Sequence, residues 1–246
     1  GYLAIPKENE PDFETYMASR ANKPSRPNQM SYWQNYRKFM VSFMKSMWGD
    51  KATAENGWGY DWLPKLDVPE YDAMRMFDMA NNGNINIYFF QGFNPVMAFP
   101  NRRKLTEAFS KVKLIVVMDP LETETASFWE NHGIYNDVDP ASIQTEVLEL
   151  PTTCFAEDEG ATVSSGRVLQ WHWAGVTPPG DAKTDIWIMS NIFLRVRKLY
   201  QEEGGVCPEP ILNLTWDYAD PLHPTSAELA MELNGRALDD LRDPSD

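Results

Sequence analysis

Apolar positions along the 246-residue chain change their period several times, and the sharpest change lies between Asn84 and Thr125. Two runs of β-branched and aromatic residues, Ile85 to Phe90 and Leu114 to Met118, each break off in a polar turn, GFNP and MDPLETET. Between them, Asn101 to Lys111 and the Val112 that follows place Leu105, Ala108, Phe109 and Val112 at helical spacing. This strand–helix–strand pattern, with strands apolar almost throughout, predicts a parallel sheet buried on both faces. It also puts both turns at the carboxyl ends of neighbouring strands, the edge at which open α/β sheets bind ligands.

The flanking chain is read the same way. Residues 1 to 30, with Pro6, Pro11, Pro24 and Pro27 among polar positions, have no sustained period and predict an extended arm with little regular structure. Ser31 is positioned to cap a helix with a stripe at Trp33, Tyr36, Met40, Phe43 and Met47, ending at Gly49. The following GDKATAENGWGYDWLPKLD predicts an ordered loop, long enough to be functional or packed against a missing partner. Pro69 opens a second helix that turns Ala73, Met76, Phe77 and Ala80 inward and ends at Asn82-Gly83. Trp129 to Thr145 breaks the pattern. Val147 to Leu150 then reads as a third short strand, so that the turn TTCFAEDEG lines the same edge as the first two. ATVSSGRVLQWHWAG alternates like a β-excursion, and Thr184 or Asp185 caps a long helix to Tyr200 with a stripe at Met189, Ile192 or Phe193, Val196 and Tyr200. Arg195, Arg197 and Lys198 sit favourably near its end, which Gly204-Gly205 closes. Residues 217 to 246, with eight acidic residues and two arginines, predict a peripheral, partly mobile tail. The chain thus divides into an arm, helix and Trp-rich loop over 1–68, an α/β domain over 69–205, and an acidic tail over 206–246.

Composition narrows the function classes. The net charge is −14, and ten acidic residues fall between Glu122 and Gly166 without one Lys or Arg. Such a surface repels nucleic acid and anionic membranes. No apolar run is long enough to span a bilayer, and no signal-peptide pattern opens the chain; Gly1 in place of Met points to an excised piece. Cys154 and Cys207 form no CxxC or Cys/His cluster, so neither a zinc nor an iron–sulfur motif is written here, and two unpaired thiols are expected.

Among candidate chemical groups, Asp119 is the sharpest, because a carboxylate directly after a buried strand can accept hydrogen bonds from a ribose diol or a purine N–H edge. It can equally be a capping residue satisfied by the chain that follows. Asn94, before Pro95, can offer its amide to a ligand or close an Asx-type turn. Asp158, between Glu157 and Glu159, is a candidate contact or part of a solvated acidic loop; the strict spacing of a calcium loop is absent. His132, His172 and His223 are widely separated and form no ligand set, and no nucleophile elbow, P-loop or GxGxxG occurs. The residues therefore support a polar, acidic, nucleotide-sized crevice without a catalytic constellation. A free-standing nucleotide-binding or protein-interaction module remains an alternative on these grounds.

The order QGFNPVMAFPN, VVMDPLETETASFWENHG, DVDPASIQTEV and LPTTCFAEDEGATVSSGRVLQWHW closely resembles the large catalytic subunit of respiratory formate dehydrogenases, in the molybdopterin oxidoreductase superfamily. Upstream GDKATAENGWGYDWLP and downstream NLTWDYADP, ELAMELNG and ALDDL extend the likeness over nearly the whole chain. The NHG and QWHW segments set it apart from nitrate reductases of the same superfamily. The resemblance implies an internal segment of a molybdenum or tungsten enzyme: a Rossmann-like, three-layer α/β domain with a mainly parallel sheet, an extended N-terminal arm and an acidic C-terminal tail. It further implies a bis-molybdopterin guanine dinucleotide cofactor, one dinucleotide of which is gripped at positions matching Asn94, Met118, Asp119, Asp158 and Asp185. At Asp158 relatives of another branch carry Lys. The family's four-cysteine iron–sulfur motif, its metal-ligating selenocysteine or cysteine, and the His and Arg of its formate pocket have no counterpart here, so no catalytic or metal-ligating residue is expected in this segment. Taken alone it is not expected to oxidise formate. The implied partners are the rest of the large subunit and an iron–sulfur electron-transfer subunit, in a complex facing the periplasm.

Overall fold

The computed structural model describes residues 5–20, 33–67, 72–130, 137–166 and 168–233. They fall into two compact units: Gly1–Glu70 with Ser190–Pro224 and Met231–Asp246, and Tyr71–Met189 with Thr225–Ala230.

The second unit is built on a three-stranded parallel sheet of β1 (Ile87–Gln91), β2 (Leu114–Asp119) and β3 (Glu146–Pro151), paired in that order. Tyr88, Ile115 and Val147 lie in register, as do Phe89, Val116 and Leu148. Side chains alternate between faces with period two, so Tyr88, Phe90, Ile115, Val117 and Val147 share one face. That face carries the core. Helices α3 (Ala73–Asn81) and α5 (Arg102–Phe109) deliver Phe77, Ala80, Leu105, Ala108 and Phe109 onto it, and Ala126 and Phe128 close its end. Each of the large side chains among these, Phe77, Leu105, Phe109 and Phe128, contributes on the order of 1.5–3 kcal/mol when moved out of water. Sequence local to each helix supplies its start: Asp72 accepts a bond from the Arg75 N–H at 2.9 Å, and Asn101 accepts one from Lys104 N–H at 3.3 Å.

The expectation of burial on both faces holds for β2 alone. On the opposite face, Val116 and Met118 are buried, but Ile87, Phe89 and Leu148 in the flanking strands are 52, 48 and 43% exposed. A central strand gains neighbours on either side; the outer two need covering elements, and among the described residues that face of β1 and β3 has none to spare. Beyond the sheet, β4 (Gly160–Val163) and β5 (Leu169–His172) form the antiparallel excursion.

In the first unit, α1 (Phe13–Arg20) and α2 (Tyr36–Trp48) bury Phe13, Tyr16, Met17, Tyr36, Met40, Met44 and Trp48 together with Tyr60. Two expectations change here. The arm holds a helix: Asp12 accepts from the Thr15 N–H at 2.8 Å, and Phe13, Tyr16 and Met17 lie at helical spacing, a local signal outweighed in the sequence by the surrounding prolines. The α2 stripe runs through Met44 and Trp48 rather than Phe43, which is 45% exposed. Tyr36 and Met40 face inward as expected, so the shift of one residue is confined to the second half of the helix. Ser31 and Pro69 lie outside the described residues, as does His132. The Trp-rich loop is a string of 3-10 turns, Gly49–Lys51 and Ala54–Trp62, in which Gly57, Trp58 and Gly59 all take positive φ. Trp48 is buried and Trp58 and Trp62 are half-buried, so part of that aromatic surface finds partners within the chain. Helix α6 (Asp185–Glu203) starts from Thr184, whose hydroxyl accepts from the Trp187 N–H at 3.2 Å. Arg197 does not cap its end; it donates to the main-chain carbonyls of Ile211 and Leu214. The acidic tail includes helices α7 (Glu209–Leu212) and α8 (Ser226–Leu233), and residues 234–246 lie outside the described residues. No described helix is long and apolar enough to cross a membrane.

Candidate functional site

All three turns named from the sequence stand at the carboxyl edge of the sheet. β1 runs out into Gly92 and Asn94, β2 ends at Asp119, and β3 ends at Pro151 before the TTCFAEDEG turn. Main-chain bonds continue the sheet past the strand ends: Gly92 N–H donates to Met118 O at 2.8 Å, and Thr152 N–H to Asp119 O at 3.2 Å. A fourth segment joins the edge at β3. Lys183 pairs in parallel with Thr152, its N–H donating to Pro151 O and its carbonyl accepting from Thr153 N–H, each at 3.1 Å. This pairing delivers Asp185, two residues on, to the same edge at the first turn of α6.

The five candidate residues differ in what they have left to offer. Asp119 is half-buried, and one carboxylate oxygen takes a 3.4 Å contact from the Leu121 N–H. That is too long to satisfy it, and its second oxygen has no hydrogen-bond partner among the described residues. Met118 is 1% exposed, so its side chain belongs to the packed sheet and only its main chain can face a ligand. Asp158 is not simply solvated: Thr153 Oγ1 donates to it at 3.0 Å, while Glu157 accepts from the Cys154 N–H at 2.9 Å. These two bonds fold the acidic turn back on the end of β3. Asp185 keeps a buried carboxylate oxygen without a partner, and such an orphan at a sheet edge is costly unless something fills it.

Asn94 does not close the local turn weighed for it. Although it precedes α4 (Pro95–Ala98), its side chain forms no cap bond. Its amide crosses instead to the turn after β2, Nδ2 donating to Glu124 Oε2 at 2.7 Å and Oδ1 accepting from Thr125 Oγ1 at 2.8 Å. Glu124 and Thr125 are thus functional candidates that local pattern does not single out, because their role depends on a residue some thirty positions away; the only signal was their place in an acceptor-rich strand-end turn. Thr123, beside them, has a buried hydroxyl without a partner.

Electrostatically the edge is anionic. Burial, then the charges of Glu122 and Asp119, push the Glu149 carboxyl above its ordinary range. Glu124 is held below it by its own backbone N–H, then by the Asn94 amide. The edge is therefore rich in acceptors and suited to a ligand that brings N–H and O–H donors. Among the described residues there is no His, Cys, Asp and Glu grouping able to hold a metal ion. Cys154 and Cys207 are free thiols, the former half-buried and the latter exposed.

A three-stranded parallel sheet with helices packed on one face and acceptor-rich turns gathered at its carboxyl edge defines a domain of the α/β class. No family model matches the chain. Its sequence is 54% identical over 245 residues to the formate dehydrogenase-O major subunit of Escherichia coli (strain K12), a match covering 100% of this chain and 24% of that protein. It is 51% identical to the nitrate-inducible formate dehydrogenase major subunit of the same organism, covering 99% of this chain and 24% of that one. The formate dehydrogenase major subunit of Haemophilus influenzae (strain ATCC 51907 / DSM 11121 / KW20 / Rd) is 46% identical over 100% of the chain and 24% of its own length. The chain belongs to the formate dehydrogenase major-subunit family. It spans about a quarter of the length of these curated relatives.

Proposed function

We propose that this segment binds one guanosine half of a bis-molybdopterin guanine dinucleotide within a formate dehydrogenase large subunit. The carrying observation is Asp119: a half-buried carboxylate at the end of the central strand, with an acceptor oxygen that nothing in the described chain satisfies. Guanine N–H groups and ribose hydroxyls are donors, and they complement the unmet acceptors of Asp119 and Asp185. The acceptor set fits the nucleoside better than the phosphates, since the edge offers carboxylates where a pyrophosphate asks for cations or N–H groups. Asn94 and Asp158, both anchored by neighbours, shape the walls of the crevice, and Met118 contributes packing.

Bound molybdopterin supplies a molybdenum or tungsten centre at which formate is oxidised to CO2 with release of a proton and two electrons. This segment's share is binding and orientation. The metal ligand, the iron–sulfur cluster and the formate pocket are assigned to residues outside it. An iron–sulfur subunit is the partner that takes the electrons, in a complex facing the periplasm.

Asp119→Asn tests the reading. The change keeps size but turns one acceptor into a donor, leaving a mispaired contact that costs about 1–3 kcal/mol, or about tenfold to a hundredfold in affinity. In the full-length enzyme, metal, pterin and guanine content per subunit should fall while thermal stability stays near wild type. Wild-type content together with wild-type stability would make Asp119 an ordinary turn residue.

A further inference from the structure

The bonds at Asn94 carry a more specific assignment, which rests on the binding role proposed for this edge. We infer that Glu124 is a positioning residue: it fixes the orientation of the Asn94 amide and, with Thr125, fastens the turn after β1 to the turn after β2, so that the ligand-binding edge is set by this side-chain clamp. The bond from Asn94 Nδ2 to Glu124, at 2.7 Å, is short for a neutral N–H···O bond and in the range of a charge-assisted one, while that from Thr125, at 2.8 Å, is ordinary for a hydroxyl donor. Their chemistry is also asymmetric. A hydroxyl can donate or accept, so Thr125 alone would leave the amide free to flip. An ionised carboxylate only accepts, so Glu124 forces the nitrogen toward itself and the oxygen toward Thr125. Once locked, the amide has one N–H and one lone pair left, pointing in determined directions.

The clamp has a rigid footing. Thr125 is fully buried beside Ala126 and Phe128 of the core, and its hydroxyl lies 3.4 Å from the Val96 N–H. On the side of β1, Gly92 N–H is tied to Met118 O. The turn after β1 is therefore held to β2 at its start by main chain and at Asn94 by side chain. Sites held by such supporting contacts keep the geometry that binding needs. The ionised state, in which Glu124 can only accept, is favoured, since Glu124 is held below its usual range by its own backbone N–H and the Asn94 amide.

The test uses the full-length enzyme and reads guanine nucleotide and molybdenum or tungsten per purified subunit, with melting temperature alongside. Asn94→Asp sets a second carboxylate against Glu124 and should lower occupancy about tenfold, the effect of losing one charge-assisted hydrogen bond. Glu124→Gln keeps an acceptor for Asn94 and should lower it far less. In the double variant Asn94→Asp/Glu124→Gln, the new amide donates to the new carboxylate, Thr125 still donates to its other oxygen, and occupancy should return to near the wild-type level. Failure of Glu124→Gln to restore Asn94→Asp would overturn the clamp, because it would mean that the Asn94 amide acts on the ligand by itself. Should Asn94→Asp fail to accumulate, Glu124→Ala against Glu124→Gln carries the test: loss with Ala and retention with Gln supports the clamp, and equal occupancy contradicts it. The control is Asp119→Asn. If that variant loses cofactor while the Asn94 and Glu124 variants keep it, the clamp alone fails; if none of them loses cofactor, the binding role of the edge fails with it.

Discussion

At the scale of single residues, carboxylates with opposite environments give the molecule its pH response. Glu10 is 5% exposed. Burial alone would raise its pKa, but bonds from Ser19 at 2.5 Å, the Lys7 N–H at 2.9 Å and Arg20 at 2.6 Å hold it below the usual carboxylate range. A depressed pKa means stability that is present above the unfolded value near 4.5 and is lost as pH falls through the folded one. Arg20→Ala should therefore destabilise the first unit by about 1.5–3 kcal/mol at neutral pH, and the difference from wild type should shrink in acid; a pH-independent loss in melting experiments would assign Arg20 a packing role only. Glu149 has the opposite sign. Its raised pKa makes the folded state more favourable below about 4.5 and less so as pH rises through the folded value. Glu149→Gln should accordingly raise the melting temperature at neutral pH and leave it unchanged below pH 4.

Elements were legible from the sequence to different depths. The three parallel strands and α5 follow from period and turn chemistry because both signals are local and agree. Asp119 was legible for the same reason: a carboxylate at the end of an apolar run needs no tertiary knowledge to be placed at an edge. The phase of α2 was not, since Phe43 and Met44 are both apolar and only the partner surface decides which one faces in. The contacts of Asn94 were hidden too, because Glu124 lies on another turn and a bond between turns has no local signature. Gly59 illustrates a constraint that is visible in the element. It sits at φ +79°, and a Cβ there would lie 2.7 Å from the Trp62 ring and 3.0 Å from Trp48. Gly59→Ala should cost about 1–3 kcal/mol through strain and overpacking, whereas Gly83→Ala, at φ +77° with nothing within 4 Å, should cost only the backbone part. Equal losses in thermal denaturation would rule out the packing component at Gly59.

Taken whole, the described chain leaves apolar surface that a self-contained domain would cover. Ile87, Phe89 and Leu148 stand on one face of the parallel sheet, and Val163, Leu169 and Trp173, 69, 64 and 73% exposed, stand on the β4–β5 excursion. Two strands on their own are marginal in water. Hydrogen exchange should therefore find the amides of residues 160–172 protected in the full-length subunit and nearly unprotected in the 246-residue chain alone; equal protection would show that the excursion is complete without further covering. The central claim concerns the other feature of this sheet, its acceptor-lined carboxyl edge. A map of the cofactor-loaded subunit tests it directly. The expected map has a guanosine N–H or ribose O–H about 2.7–3.2 Å from the Asp119 carboxylate, with Asn94 still bonded to Glu124 and Thr125. Both guanosines bound away from the ends of β1, β2 and β3 would contradict it.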